Sequence, residues 1–370
     1  MHFYPIVPDI SIGAVMCYRN INDFSRALDN EFENYVYIRG QNPTVELLAK
    51  KISFIECAEK TLIVSSGVTA ISYAIMTFLK DNSHVIYTSN PYTWTFRLLN
   101  KYLRKYHIRA TELTPENMYE LPNLIRENTK LIFVETPSSI FFNIFDIGYI
   151  AGVAREAGAK VIVDNSYCTG IYQKPLKLGA DVSVNSLSKH INGHSDVVLG
   201  SISSSSQIIE KIFYEEYMTI GGIAHPLEAW LTLRGLTTLK LRLKKSEENA
   251  NYIIEKLREH PRIEKILHPF YGDSVSVEIA RKQMNGAPGL FSILIRARKI
   301  EDIHDFVHSL KHFKLGVSWG GCHSMVFPAA VFYKNPSEKH SIPWNLVRLY
   351  CGIQDKEILL NDLLNALDRV

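Results

Sequence analysis

The sequence predicts an α/β fold built on a mostly parallel sheet, with a smaller α+β unit toward the C-terminus. Three observations carry this expectation. Short apolar runs alternate with helical patterns through the first two thirds of the chain, and strand–helix–strand alternation argues for a parallel sheet covered by helices on both faces. Small and polar residues directly follow those runs, at the strand ends where such sheets bind ligands. Of the 370 residues, 46% are hydrophobic and 21% charged, which excludes a disordered tail, a collagen-like fibre and a low-complexity scaffold.

The first 50 residues read as an arm, with few periodic signals, several aromatics and the polar turn RGQNPT. Strands are expected at Thr61–Val64, His84–Thr88, Lys130–Glu135, Lys160–Asn165, Asp181–Val184 and Val197–Ser203, each a short run rich in β-branched or aromatic residues. Helical periodicity lies between them, at Ile71–Leu79, Thr93–Tyr106 and Tyr149–Glu156. A long helical segment, rich in Leu, Lys, Arg and Glu, begins after Pro226 and reaches about His260, where Pro261 closes it. Its Lys240–Glu248 stretch reads as a solvated face. Apolar runs at Leu290–Ile295 and Arg348–Ile353 and a final amphipathic helix from about Lys356 complete the smaller unit. The expected organisation is an arm over 1–50, an α/β domain over 51–236 and a C-terminal α+β domain over 237–370.

The 41 Lys+Arg balance 38 Asp+Glu, a net charge of +3, which gives no reason to expect nucleic acid or an anionic membrane as partner. The five cysteines, at 17, 57, 168, 322 and 351, are odd in number, widely spaced and without a C-x-x-C pair. Neither a disulfide framework nor a metal site is expected. MHFYPIVPDISIG lacks the basic n-region of a secretory leader. No run of about 18 apolar residues that could span a membrane occurs, so a cytoplasmic protein is expected.

The strand ends carry the functional signal. Ser65-Ser66-Gly67-Val68-Thr69-Ala70 opens a helix after Val64, and a small-residue turn at a helix N-terminus offers free N–H groups and a positive dipole end to a phosphate, although such turns also serve packing. Asp164 ends a later apolar run; it could cap a helix, or hold a cationic ring nitrogen as a buried carboxylate. Lys189 sits in NSLSKHINGHSD among small uncharged neighbours apart from His190, the setting of a Schiff-base lysine with hydroxyls available to a phosphate. Arg348 opens RLYCGI and could face water or clamp a carboxylate with its planar fork. In chain order these are the parts of a pyridoxal phosphate (PLP) site.

With those residues in view, the chain resembles the Cys/Met-metabolism PLP enzymes: cystathionine γ-synthase, cystathionine β- and γ-lyases, methionine γ-lyase and the acylhomoserine sulfhydrylases. The resemblance runs from about Tyr35 to Asp355. It is carried by YVYIRGQNPT, SSGVTAI, VETP followed by FDI, VDNSY, NSLSKHINGHSDVVLG, LRGLTTLKLR with Asn249-Ala250, SWGG and LVRLYCGIQD. It implies the aspartate-aminotransferase-like type I fold, with a large, mostly parallel seven-stranded sheet in the PLP-binding domain. It implies Lys189 as the lysine that holds the cofactor and moves protons, Asp164 as the acid on the pyridine nitrogen, and Ser66, Gly67 and Val68 as the phosphate turn, with Ser186 and Ser188 completing the cup. Tyr92 would stack on the ring as a candidate acid/base. Arg348, with the Ser318 backbone, would clamp the substrate α-carboxylate. Tyr37 and Arg39 of the arm would reach the phosphate of the neighbouring subunit. That requires at least an active dimer, and homotetramers built from such dimers are usual for the family.

The departures cluster around the substrate. Tyr92-Thr93-Trp94-Thr95 stands where the family has Tyr-Gly-Gly-Thr. Ser139-Ile140 replaces Asn-Pro, whose Asn bonds the cofactor's phenolic oxygen, so Ser139 becomes the candidate there. Trp319 is the β-lyase choice where γ-enzymes mostly carry Leu. Val317, just before Ser318, resembles methionine γ-lyase, where γ-synthases and cystathionine γ-lyases often carry a Glu that could hold a distal ammonium. Val331-Phe332-Tyr333 replaces Met-Thr-His, and the segment from there to Arg348 is short. The expected activity is a carbon–sulfur lyase on an amino-acid substrate, by β-elimination to thiol, pyruvate and ammonia. The alternative is γ-replacement or γ-elimination, including a specialised biosynthetic reaction. A third reading, from another class, is a PLP-binding regulatory protein, against which stands the retention of Lys189, Asp164, Tyr92 and Arg348. His194 reads as a hydrogen-bonding residue. Cys168 and Cys322 lie in site motifs without a neighbouring base.

Overall fold

The structure is a computed structural model that describes residues 5–333 and 341–370. The part of the pocket wall at 334–340, and the first four residues of the arm, lie outside the described residues. Two sheets organise the chain. The larger has seven strands: β1 (Lys60–Val64), β2 (His84–Thr88), β3 (Arg109–Leu113), β4 (Thr129–Glu135), β5 (Lys160–Asp164), β6 (Val182–Ser186) and β7 (Gly200–Ser204), in the order β1-β7-β6-β5-β4-β2-β3. Only β7 runs antiparallel, to both β1 and β6, so the other six deliver their C-terminal ends to one edge. The type I fold and its seven-stranded sheet are as expected. The strand at Arg109–Leu113 is an addition: on the sheet edge only Leu113 of RATEL is buried, so it lacks the apolar signature of its neighbours.

Alternation along each strand divides the core in two. Ile63, Ile86, Ile132, Val134, Val161 and Val163 face one apolar layer. Leu62, Val64, Val85, Leu131, Phe133, Ile162 and Val184 face the other. With both faces covered, a parallel strand can be apolar throughout, and β2 is buried at all five positions. The smaller sheet holds β8 (Ile263–Leu267), β9 (Leu290–Ile295), β10 (Lys314–Leu315), β11 (Met325–Pro328) and β12 (Leu346–Tyr350), in the order β10-β11-β12-β9-β8. Its apolar face packs against helices Leu239–Leu257 and Lys356–Leu367.

Two helical expectations need correction. The segment after Pro226 is two helices, Pro226–Leu236 and Leu239–Leu257, because the chain turns at Thr237-Thr238, where the Thr238 N–H bonds back to the Gly235 carbonyl. The arm is more ordered than its composition suggests. It contains helix Ile21–Asp29, and its RGQNPT turn leads straight into helix Pro43–Glu56, which crosses residue 50. Asn42 caps that helix by accepting from the Thr44 and Val45 N–H groups, and Pro43 sits in its first turn, where its missing N–H costs nothing. The segment Thr93–Tyr106 is helical throughout, with π-helical geometry at Leu98–Tyr102. Among the described residues, no helix is long and apolar enough to cross a membrane.

Candidate active site

The C-terminal edge of the large sheet gathers the candidate residues. β1 ends at Val64 and the chain enters helix Gly67–Met76 with Ser66 as N-cap, its Oγ accepting the Thr69 N–H at 3.0 Å. The first-turn N–H groups of Gly67 and Val68 have no intrahelical partner by helix geometry and can face an anion. Gly67 lies against the end of β6, where an added Cβ would meet Ser186 Cβ at 2.8 Å. The turn and Ser186 thus form one cradle. The Ser188 hydroxyl is turned elsewhere, donating to the Leu199 carbonyl at 3.2 Å and accepting the Leu199 N–H at 3.0 Å.

Asp164 ends β5 and is buried, with Oδ1 accepting the Ser166 N–H at 2.9 Å. Burial pushes its carboxyl up, against the Ser166 hydrogen bonds and the Lys189 charge. Its register partner on β4 is Glu135, a second buried carboxyl, pushed up to about 8 by burial and then by Asp164. Asp164 has a cation facing it, whereas the rise at Glu135 is opposed only by the Tyr92 and Ser139 backbone N–H groups. Glu135 is not among the candidates that the sequence suggests; its signal is an acid closing an apolar strand, in the same position as Asp164.

Lys189 follows β6 and points Nζ at Ser318 Oγ, 2.9 Å away. Burial, then the Arg348 charge, lowers its pKa to about 8, with Asp164 opposing. The neutral amine is therefore accessible near neutral pH, as a proton acceptor requires. The turn behind it is held by Arg242. This side chain is buried, donating to the His190, Ile191 and Gly235 carbonyls at 2.7, 3.3 and 2.8 Å. The solvated-face reading of Lys240–Glu248 fails at this residue. Gly193, at φ +72°, has no room for a Cβ beside the Arg242 guanidinium. His194 bonds the Asn192 carbonyl through Nδ1 at 2.7 Å.

Arg348 lies on β12 and is buried, donating to the Ser139 carbonyl at 3.2 Å and the Val317 carbonyl at 2.6 Å. Burial lowers its pKa to about 10, so it stays cationic at neutral pH. Ser139 and Ser318 are thereby brought to the same site. Trp319 is buried, with its ring 5.2 Å from His190, 6.4 Å from Tyr167 and 5.4 Å from Lys189 Nζ. Tyr92 opens the helix at Thr93. Burial, then the Asp164 and Glu135 charges, raise its pKa, and its backbone N–H donates to Glu135 Oε2 at 2.6 Å. Tyr37 and Arg39 stand apart: both are exposed, and the Arg39 guanidinium lies 5.3 Å from the centre of the Tyr37 ring. Val317 and Trp94 are exposed as well.

A buried acid, an amine of lowered pKa, a glycine-lined helix N-terminus and a buried arginine converge on one sheet edge. Together they can hold an anionic, ring-bearing cofactor and a carboxylate substrate. The profile of a family described as Cys/Met metabolism PLP-dependent enzyme matches residues 7–368. An L-alanine/L-glutamate racemase of Wolbachia pipientis is 35% identical over 345 residues, 92% of this chain and 85% of that protein. A cystathionine gamma-lyase of Bacillus subtilis is 32% identical over 372 residues, 99% of this chain and 97% of that one. The crystal structure of metB from Corynebacterium glutamicum superposes with a TM-score of 0.90 at 31% identity, covering 98% of this chain and 93% of that one.

Proposed function

The chain belongs to the Cys/Met-metabolism PLP-dependent enzymes, and from that premise we propose that it is a carbon–sulfur lyase that deprotonates an S-substituted amino acid at Cα and expels a β-thiolate. The observation that carries the proposal is the convergence of Lys189 and Arg348. An amine of lowered pKa and a buried guanidinium serve one pocket through the adjacent Val317 and Ser318. The residues also fit the family's cofactor. Gly67 lets the helix N-terminus close onto Ser186, with no room for a Cβ between them, and Asp164 supplies a buried acid.

When bound, PLP supplies an electron sink for the charge left at Cα. The N–H groups of Gly67 and Val68, with Ser66 and Ser186, would hold the phosphate. Ser188 would join this cup only if its hydroxyl left the Leu199 backbone. Asp164 would keep the ring nitrogen protonated, Tyr92 would serve as the stacking aromatic, and Ser139 would be the candidate for the phenolic oxygen. Arg348 fixes the substrate carboxylate with its fork. Lys189 takes the Cα proton, and Ser318 holds the amine between turns. Trp319 closes the space beside Lys189, which favours one proton transfer at Cα over a second at Cβ, the extra step that γ-chemistry needs. Val317 offers no charge to a distal ammonium, so cystathionine, whose distal end is charged, is expected to be split less well than an S-alkyl amino acid. Tyr37 and Arg39 serve the neighbouring subunit, consistent with their exposure away from this site; the active unit is a dimer, paired into a homotetramer, and the protein is cytoplasmic. The γ-elimination reading is favoured by the Bacillus relative and the racemase reading by the Wolbachia relative.

Incubation with cystathionine separates the two eliminations. Pyruvate with homocysteine is the expected result; 2-oxobutyrate with cysteine overturns it in favour of γ-elimination. Inversion at Cα of L-alanine or L-glutamate in a parallel incubation, with no keto acid from any of the three, makes the chain a racemase. The cradle has its own test. Gly67→Ala drives a Cβ into Ser186, an overpacking that costs about 1–3 kcal/mol. PLP affinity of the apoprotein, followed by fluorescence, is expected to fall about tenfold or more. Unchanged affinity would remove the turn from the phosphate site.

A further inference from the structure

Glu135 has no part in the chemistry above, yet it is tied to both halves of the site. It is 5% exposed, and both carboxylate oxygens are engaged. Oε2 accepts the Tyr92 N–H at 2.6 Å, and Oε1 accepts the Ser139 N–H at 3.3 Å. Its own N–H donates to Thr88 Oγ1 at 2.9 Å, pinning the end of β4 to β2. Tyr92 is the N-cap of the helix beginning at Thr93, and no side chain within that segment caps it. The Ser139 peptide leads on to the arginine, because its carbonyl accepts from Arg348 Nη1 at 3.2 Å.

We propose that Glu135 is a positioning residue that sets the Tyr92 ring and the Arg348 fork relative to each other, through two backbone N–H groups held by one carboxyl. This rests on the reading of Tyr92 and Arg348 given above. The geometry demands this side chain. Two convergent N–H donors need two acceptor oxygens, and only Asp or Glu supplies both on one planar group. Gln has one acceptor, so its amide N–H would face a backbone N–H. Asp is one methylene short of the same reach. An N–H left unmet in a buried place costs its full desolvation penalty, so the loop bearing Tyr92 or the Ser139 peptide would have to move.

The test is Glu135→Gln in the PLP-loaded enzyme, probed with glycine and methylamine, which differ by the α-carboxylate. Both are followed through the visible spectrum of the bound cofactor. The dissociation constant for glycine is expected to rise about tenfold, the worth of one misplaced hydrogen bond, while that for methylamine stays within about twofold. The visible circular dichroism of the cofactor is expected to change as the Tyr92 ring shifts, and the loss should fall on KM more than on kcat. Unchanged glycine binding and dichroism overturn the proposal. So does equal weakening of glycine and methylamine, which would mean general loosening. Arg348→Lys is the control: if it binds glycine as wild type does, the reading of Arg348 fails, and this proposal with it. If Glu135→Gln does not fold, hydrogen exchange on the wild-type holoenzyme decides. The Tyr92 and Ser139 amides are expected to be protected far beyond neighbouring loop amides, and fast exchange at both would overturn the bridge.

Discussion

Replacing Lys189 with Ala is expected to lower turnover by about 10⁴-fold or more, the upper range for loss of a positioned proton-transfer group, while the protein still folds and still binds PLP. The folding half of this rests on placement. Lys189 Nζ makes one hydrogen bond, to Ser318 Oγ, and the Asp164 carboxyl that it faces, already pushed up by burial, can take a proton once the cation is gone. The turn it sits on is held independently by Arg242. The binding half holds because the phosphate turn and Asp164 are untouched. Lys189→Arg should be no better, because a guanidinium stays protonated at any working pH and cannot accept the proton. The lowered pKa has a companion result. In the apoprotein, labelling of Lys189 by an amine-selective reagent should rise with pH around a midpoint of about 8, rather than near the usual 10.4 of a lysine. The sign is that of a base: burial and Arg348 disfavour the ammonium, so the reactive neutral amine appears earlier on the pH scale. Turnover of Lys189→Ala within tenfold of wild type would remove Lys189 from proton transfer and revive the reading of a PLP-binding regulatory protein.

The legibility of this site depends on whether a residue's partners are near in sequence. Asp164 and Lys189 stand out because a polar group directly after an apolar strand has few purposes. The strands themselves are plain: β2 and β9 match their expected bounds to the residue. Glu135 ends an equally plain strand. Its role depends on Tyr92, 43 residues away, and on a backbone N–H rather than a side chain, which no spacing reveals. Arg242 is hidden by its neighbours. In Leu-Lys-Leu-Arg-Leu-Lys-Lys a charged residue reads as solvated, and only the close approach of the Gly193 turn shows which of these cations is inside. The arm defeats composition for a different reason. Pro43 reads as part of a turn, yet a proline after Asn is also a good first residue of a helix. The edge strand β3 escapes because exposure lets it carry Arg109 and Glu112. Tyr37 and Arg39 come from resemblance alone, and within one chain they touch none of the other candidates among the described hydrogen bonds.

Asp164→Asn is expected to cost about 10³-fold in turnover while the fold is kept, and the reason separates charge from shape. Asn has the size of Asp, and its oxygen can still accept the Ser166 N–H. What it lacks is the negative charge facing a ring nitrogen. An opposite charge at close range moves a pKa by about 1–3 units, and each unit is about 1.36 kcal/mol, so the nitrogen loses its proton at neutral pH and the sink weakens accordingly. The same substitution should act oppositely on the apoprotein. Asp164 shares its burial with Glu135 and is faced also by Lys189 and Tyr92. Glu135 is raised from 4.5 to about 8 in the folded state. Between those values the native protein therefore binds more protons than the unfolded chain, and stability falls as pH rises. Removing the Asp164 charge relieves the second of the two causes, leaving burial, so the slope should flatten. Urea unfolding of both apoproteins at pH 5 and pH 8 measures it: the stability lost between the two should be smaller in Asp164→Asn. Equal slopes would mean that the two carboxyls do not sense each other, and turnover within tenfold of wild type would mean that the ring nitrogen is not what Asp164 faces.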